Sequence, residues 1–182
     1  MRNFFIIFAL ISFSNLTFSQ KEKTTKSKKC DVNNPHKDWN YKNFNLKTDE
    51  GTWVNLDISP DGETIVFDML GDIYTMPITG GKATALRTGL AYEVQPRYSP
   101  DGTYISFTSD AEGGNNIWVM TADGTNAKAI TKEKFRLLNN AVWTPDGKSL
   151  VARKHYTSQR SVGAGEMWQY PLAGAAGLQI TK

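Results

Sequence analysis

The stretch "RYSPDGTYISFTSD", Arg97–Asp110, decides how this chain folds. It joins two runs of alternating apolar and polar residues through Pro100, Asp101 and Gly102. Alternation at a period of two marks strands with one buried face. Pro-Asp-Gly reverses the chain, because Pro presets φ, Asp bonds back to the backbone and Gly accepts a positive φ. Nearly the same phrase stands forty residues earlier as "DISPDGETIVFDML", around Pro60, Asp61 and Gly62. It returns forty-five residues later as "VWTPDGKSLVARKH", around Pro145, Asp146 and Gly147. One such turn predicts a hairpin; three at a steady period predict a repeat architecture.

The spacings define the repeating unit. Ile58, Tyr98 and Trp143 each stand seven residues before Ile65, Ile105 and Leu150. A third strand follows in each unit ("DIYTM", "NIWVM", "EMWQY"), with Tyr74, Trp118 or Trp168 at the same place. Leu86, Ile130 and Ile180 lie ten residues after Met76, Met120 and Tyr170 and mark a fourth strand. Units of about forty residues with four antiparallel strands have the size of propeller blades. A β-sandwich has similar hairpins but gives no reason for strand-by-strand self-similarity. Leu46 precedes Ile58 by twelve residues, as Leu86 precedes Tyr98, so "NFNLKT" (43–48) takes the place of an outer strand without a blade of its own. The expected fold is all-β: an incomplete β-propeller with three four-stranded antiparallel blades plus an N-terminal closing strand. The propeller spans 43–182, with blades near 52–90, 91–136 and 137–182. Three blades do not close a ring, since propellers use four to eight. The expectation is an N-terminal piece of a longer protein, or a subunit completed by assembly.

"MRNFFIIFALISFSNLTFSQ" opens with one Arg, continues apolar and ends in small polar residues, the layout of a secretory signal peptide over 1–19. The apolar run Phe4–Ile11 is too short to span a bilayer, which argues against an uncleaved anchor. No lipoprotein cysteine follows it. The expected protein is exported, periplasmic or secreted, with no membrane contact after cleavage. Residues 20–42, with "KEKTTKSKK", read as a flexible leader carrying much of the positive charge. The net charge of the 182 residues is only +3, which does not call for a nucleic-acid partner. Cys30 is the sole cysteine, so no internal disulfide forms.

Loop lengths divide the ring into two ends. The seven- and ten-residue spacings are constant, whereas Phe67–Ile73, Phe107–Ile117 and Ala152–Met167 span six, ten and fifteen residues. Elaborated loops on a rigid scaffold are where recognition concentrates. The longest, "RKHYTSQRSVGAGE", brings Arg153, Lys154, His155, Tyr156 and Arg160 with a Gly-Ala-Gly hinge, next to "SDAEGGNN" and the connection "TKEKFRLLNN". It reads either as a docking surface for an acidic or polar partner or as a solvated loop. Catalytic signatures are lacking. The two histidines, His36 and His155, stand in different segments, and no His-x-His, His-Glu-x-x-His, Cys-x-x-Cys, Gly-x-Ser-x-Gly or phosphate-binding loop occurs. The aspartates of the repeated turns read as structural, and no active site or cofactor is expected in this chain.

"ISPDG", "YSPDGTYISFTSD" and "NIWVMTADGTNAKAIT" resemble the blade repeat of TolB-type propellers, shared with tricorn-like and prolyl-oligopeptidase-like proteins. "DVNNP", "DEGTWVNLDISPDGETIVFDMLGDIYTMPI", "RLLNNAVWTPDG" and "ARKHYTSQRSVGAGEMW" resemble the N-terminal part of exported bacterial proteins that fuse this propeller to a C-terminal amidohydrolase barrel. The resemblance implies a C-terminal catalytic domain of the same polypeptide as partner. That domain would hold a divalent metal such as zinc, which activates water against an amide-like or cyclic C–N bond. A non-catalytic TolB-like module binding envelope proteins, and the propeller lid of a serine peptidase, are the alternatives.

Overall fold

The computed structural model describes residues 45–156, 164–174 and 176–181, together with Val32 and Lys42. The signal segment, nearly all of the leader and Cys30 lie outside the described residues. Twelve strands follow one another: β1 (Leu56–Ile58), β2 (Thr64–Met69), β3 (Asp72–Pro77), β4 (Thr84–Arg87), β5 (Glu93–Tyr98), β6 (Tyr104–Ser109), β7 (Asn116–Thr121), β8 (Lys128–Ala129), β9 (Leu138–Trp143), β10 (Ser149–Tyr156), β11 (Ala164–Pro171) and β12 (Leu178–Gln179). They form three four-stranded antiparallel sheets in sequence order, β1–β4, β5–β8 and β9–β12. Each sheet is one copy of the repeat, and the register pairs the residues that the spacing aligned: Ile58 with Ile65, Tyr98 with Ile105 and Trp143 with Leu150.

The sheets stack face to face, with the second between the first and third. Val66 and Ile73 of the first sheet meet Ile105, Phe107 and Met120 of the second. On the other face of the second sheet, Ile117 and Val119 meet Leu138, Ala141, Leu150, Ala152 and Tyr170 of the third. Strand β6 shows the consequence: Ile105 to Ser109 are buried without interruption, because both of its faces are covered. Strand β2, in the first sheet, keeps the one-sided alternation of buried and half-buried residues. The pattern along a strand thus reports how many neighbours its sheet has.

Two details differ from the expected outline within the described residues. Residues 45–48, inside the expected closing strand, are exposed and belong to no strand; residues 43 and 44 lie outside the described residues. A strand needs a neighbour's backbone to pair with, and none of the twelve described strands pairs with this segment. The outer strands are also shorter than the periodicity predicts. β8 and β12 stop just before Ile130 and Ile180, the apolar markers that identified them.

Candidate functional site

The two ends of the stacked sheets have different chemistry. One end carries the Pro-Asp-Gly turns, built alike three times. In the first, the Ser59 hydroxyl donates to Asp61 Oδ1 at 2.5 Å, Glu63 N–H donates to the same oxygen at 3.0 Å, and Thr64 N–H donates to Ser59 Oγ at 2.9 Å. Ser99 with Asp101 and Thr144 with Asp146 repeat this set. Gly62, Gly102 and Gly147 close the turns at φ of 76°, 72° and 67°, where a Cβ would be strained. The neighbouring hydroxyl, then the backbone N–H, hold each of the three carboxyls below its usual range. These aspartates are committed to shaping turns.

Beside these turns, the innermost strands of all three sheets border a cleft of about 330 Å³. Asp57, Arg97, Tyr98 and Trp143 line it with Pro60 and Pro100. Its polar groups stitch the sheets together. Tyr98 N–H donates to Asp57 Oδ2 at 2.8 Å, Arg97 Nη1 to the Leu56 carbonyl at 2.6 Å, and Trp143 Nε1 to the Arg97 carbonyl at 3.0 Å.

At the opposite end the strand connections differ in length. Leu70 and Gly71, both at positive φ, join β2 to β3 in two residues. The connection from β10 to β11 is where sequence and structure part. Arg153, Lys154, His155 and Tyr156 are strand residues of β10, paired with Met167, Glu166, Gly165 and Ala164 of β11. Both described ends of the expected loop form an arm of strand, with Ala164 and Gly165 of the expected hinge in the β10–β11 ladder and Arg153 and Lys154 paired also with Asn139 and Leu138 of β9. Hydrogen bonding between the strands, continued past the last apolar pair, holds the arm extended. Arg160 lies outside the described residues.

The arm is braced against the connection between the second and third sheets. Lys154 Nζ lies 2.6 Å from Glu133 Oε1 and 4.2 Å from the centre of the Trp168 ring. The backbone N–H of Glu133 donates to Asn116 Oδ1 at 2.7 Å, which also accepts the Thr131 hydroxyl at 2.8 Å. The Arg136 guanidinium sits 4.4 Å over the Tyr156 ring. His155 Nε2 is 3.0 Å from Asn139 Oδ1, and His155 N–H donates to the Leu137 carbonyl. Of the five residues singled out in the sequence, Lys154, His155 and Tyr156 therefore brace the arm, while Arg153 is exposed. Glu133, Asn116 and Trp168 were not singled out as members of this cluster. Trp168 had a signal, as the aromatic recurring in every third strand; Glu133 and Asn116 stood within the neighbouring segments "TKEKFRLLNN" and "SDAEGGNN", but their individual partners are distant in sequence.

His155 gives this cluster a pH dependence. Burial first, then the nearby charge of Arg153, lower its pKa from 6.5. The folded state therefore holds fewer protons than the unfolded chain just below pH 6.5, so stability falls as pH drops through that region toward the lower folded value. The His155→Gln variant is expected to flatten this limb. Urea midpoints across about pH 5 to 7.5, spanning the ordinary histidine range, check it; an unchanged slope in the variant would refute the assignment.

Among the described residues, no three of His, Cys, Asp or Glu stand close enough to hold a metal ion. The model of the Tricorn protease N-terminal beta propeller domain matches residues 55–181. An uncharacterized protein of Agrobacterium fabrum is 37% identical over 81 residues, covering 42% of this chain and 28% of its own. Tricorn protease homolog 1 of Streptomyces coelicolor is 32% identical over 92 residues, covering 50% of this chain and 9% of its own. The crystal structure of TolB from Acinetobacter baumannii superposes with a TM-score of 0.58 at 21% identity, covering 72% of this chain and 33% of that one. The matches thus cover less than a third of the curated relatives' own length.

Proposed function

Because the chain belongs to the Tricorn protease N-terminal beta propeller family, we propose that it serves as the docking and substrate-access propeller of an exported hydrolase. The chemistry is carried by a domain outside these 182 residues. The observation that carries the reading is the braced arm of β10 and β11. Lys154, Glu133 and Trp168 fix its described base at the end where connection lengths vary.

The catalytic domain proposed is the amidohydrolase barrel of the resemblance drawn from the sequence. A divalent metal and its histidine ligands would belong to that barrel. A second reading has a specific observation behind it: the Streptomyces relative is a tricorn protease homolog, which favours a peptidase. A TolB-like module that only binds envelope proteins is the third, supported by the fold alone.

One experiment separates the three. The gene product containing this chain is purified from the periplasm or medium and assayed on amide and cyclic C–N substrates. Hydrolysis abolished by a chelator and restored by zinc is the expected result, and deletion of residues 157–163 should raise KM more than it lowers kcat. Labelling by a fluorophosphonate would replace this reading with the peptidase one. A gene product lacking hydrolytic activity would leave the binding module.

A further inference from the structure

The cleft beside the Pro-Asp-Gly turns holds a departure from the repeat. Asp57, Arg97 and Val142 stand directly before Ile58, Tyr98 and Trp143, so the three occupy one position of the repeating unit. All three line the same cleft, from the innermost strands β1, β5 and β9. A position with a repeated duty keeps its residue type, as Asp61, Asp101 and Asp146 do in the turns. Here one position supplies a carboxylate, a guanidinium and an aliphatic group.

The two charged groups do not neutralise each other. Among the described residues the ion pairs are Arg87–Glu93 and Lys154–Glu133, and neither Asp57 nor Arg97 belongs to one. Each is instead tethered to backbone by a single atom. Asp57 Oδ2 accepts Tyr98 N–H at 2.8 Å, and Arg97 Nη1 donates to the Leu56 and Pro96 carbonyls at 2.6 and 2.9 Å. Asp57 Oδ1, and Arg97 Nε and Nη2, keep no hydrogen-bond partner among the described residues. Burial first, then the charges of Asp61 and Asp57, raise the pKa of Tyr98, which therefore stays a neutral hydroxyl beside them. On the third strand Val142 is 49% exposed, and Trp143 next to it is fixed by the bond from its Nε1 to the Arg97 carbonyl and by stacking on Tyr104 at 6.5 Å. The cleft thus presents a free acceptor edge, a free donor edge and an apolar wall, each already held in place, so a ligand orders little on arrival.

We propose that this cleft binds a free α-amino acid with an apolar side chain, its ammonium on Asp57 Oδ1, its carboxylate on Arg97 Nε and Nη2, and its side chain on Val142 and Trp143. Nε and Nη2 form the edge of a guanidinium that meets both oxygens of a carboxylate. Arg87 grips Glu93 with this same edge, at 2.8 and 2.7 Å. A simple cation or anion would leave one of the two cleft charges uncompensated, whereas a zwitterion answers both. The volume of about 330 Å³ lies at the lower end of the roughly 300–1,000 Å³ found for small-molecule sites, which suits a ligand of this size. The site lies at the opposite end of the sheets from the arm of β10 and β11 and does not depend on the hydrolase reading.

The test titrates the full-length gene product with L-leucine by calorimetry, alongside leucinamide, which lacks the carboxylate, and isocaproate, which lacks the amine. Leucine is expected to bind about ten- to a hundredfold more tightly than either, the loss that follows from removing a charge-assisted bond. Asp57→Asn should remove the preference over isocaproate and keep the preference over leucinamide, and Arg97→Gln should do the reverse. Urea midpoints show whether each variant remains folded, and the three ligands on the unaltered protein decide the matter without the variants. Deletion of residues 157–163 should leave leucine binding unchanged, which separates this site from the arm. No binding of leucine in the millimolar range, equal binding of the three compounds, or a leucine affinity unchanged by both substitutions would overturn the inference, as would loss of leucine binding on the deletion.

Discussion

Phe107→Ala is expected to lower the unfolding free energy by about 3–5 kcal/mol, the range for emptying a buried aromatic site. Phe107 is fully buried in the core between the first and second sheets, among Val66, Ile73, Ile105 and Met120. The Trp118 ring lies 6.3 Å away and the Arg87 guanidinium 5.4 Å over its face. Sheets on both sides hold the backbone apart, so the cavity has little room to collapse and the large end of the range applies. The repeat supplies its own control. Phe67 occupies the same position in the first sheet, stacked on Tyr74 at 5.6 Å, but it is only half-buried. Phe67→Ala is expected to cost about 1–2 kcal/mol, in proportion to the smaller area it keeps from water. Urea unfolding of both variants checks the ranking. Equal losses would mean that the two positions are equally enclosed, which contradicts the stacking order of the sheets.

How much of this was legible in the sequence follows from the range of each interaction. The Pro-Asp-Gly turns were, because Ser59, Asp61 and Thr64 make all their bonds within five residues. The strand pairs were, because a fixed turn length sets the register on both sides of it. The arm was misread. In "RKHY" no apolar residue alternates, so the fourteen residues between Ala152 and Met167 looked like a loop, although cross-strand backbone bonds extend the ladder through Tyr156. The cluster around Lys154 was half visible: its basic and aromatic residues stood together in sequence, but Glu133 lies 21 residues away and meets it only once two sheets are stacked. The bulges were invisible, because Gln95 and Asn140 adopt φ of 60° and 52° without the glycine that usually signals it. The closing strand is a different case, because the last blade it was expected to complete is not among the described sheets. Periodicity reports that a segment suits a strand, and pairing decides whether it becomes one.

Asp68→Ala is expected to be nearly as damaging as the loss of Phe107, and for an opposite reason. Asp68 is 2% exposed and faces the second sheet. Its carboxylate accepts Asn55 N–H at 2.9 Å, Asn55 Nδ2 at 2.8 Å and Gln95 N–H at 2.6 Å. The first two fix the start of the innermost strand of its own sheet, and the third reaches the bulge of the next. Each donor left without a partner in a buried place costs about 1–3 kcal/mol, so removal of the two oxygens that accept these three bonds should lower stability by roughly 4 kcal/mol after some relaxation and entry of water. Asp68→Asn keeps one acceptor oxygen and almost the same volume, and about 1–2 kcal/mol is expected there. The two losses are read by urea unfolding. Where they arise is read by amide exchange: in Asp68→Asn the Gln95 amide should lose protection before the amides of β6 and β7, because the bulge opens while the ladder of the second sheet stays paired. The same bulge passes the restraint onward, since Gln95 Oε1 accepts Asn140 N–H from the third sheet. Loss of protection at Asn140 in the Asp68 variants would show that the sheets are registered in series from one buried carboxylate. Protection unchanged at both amides would mean that apolar packing alone sets the stack.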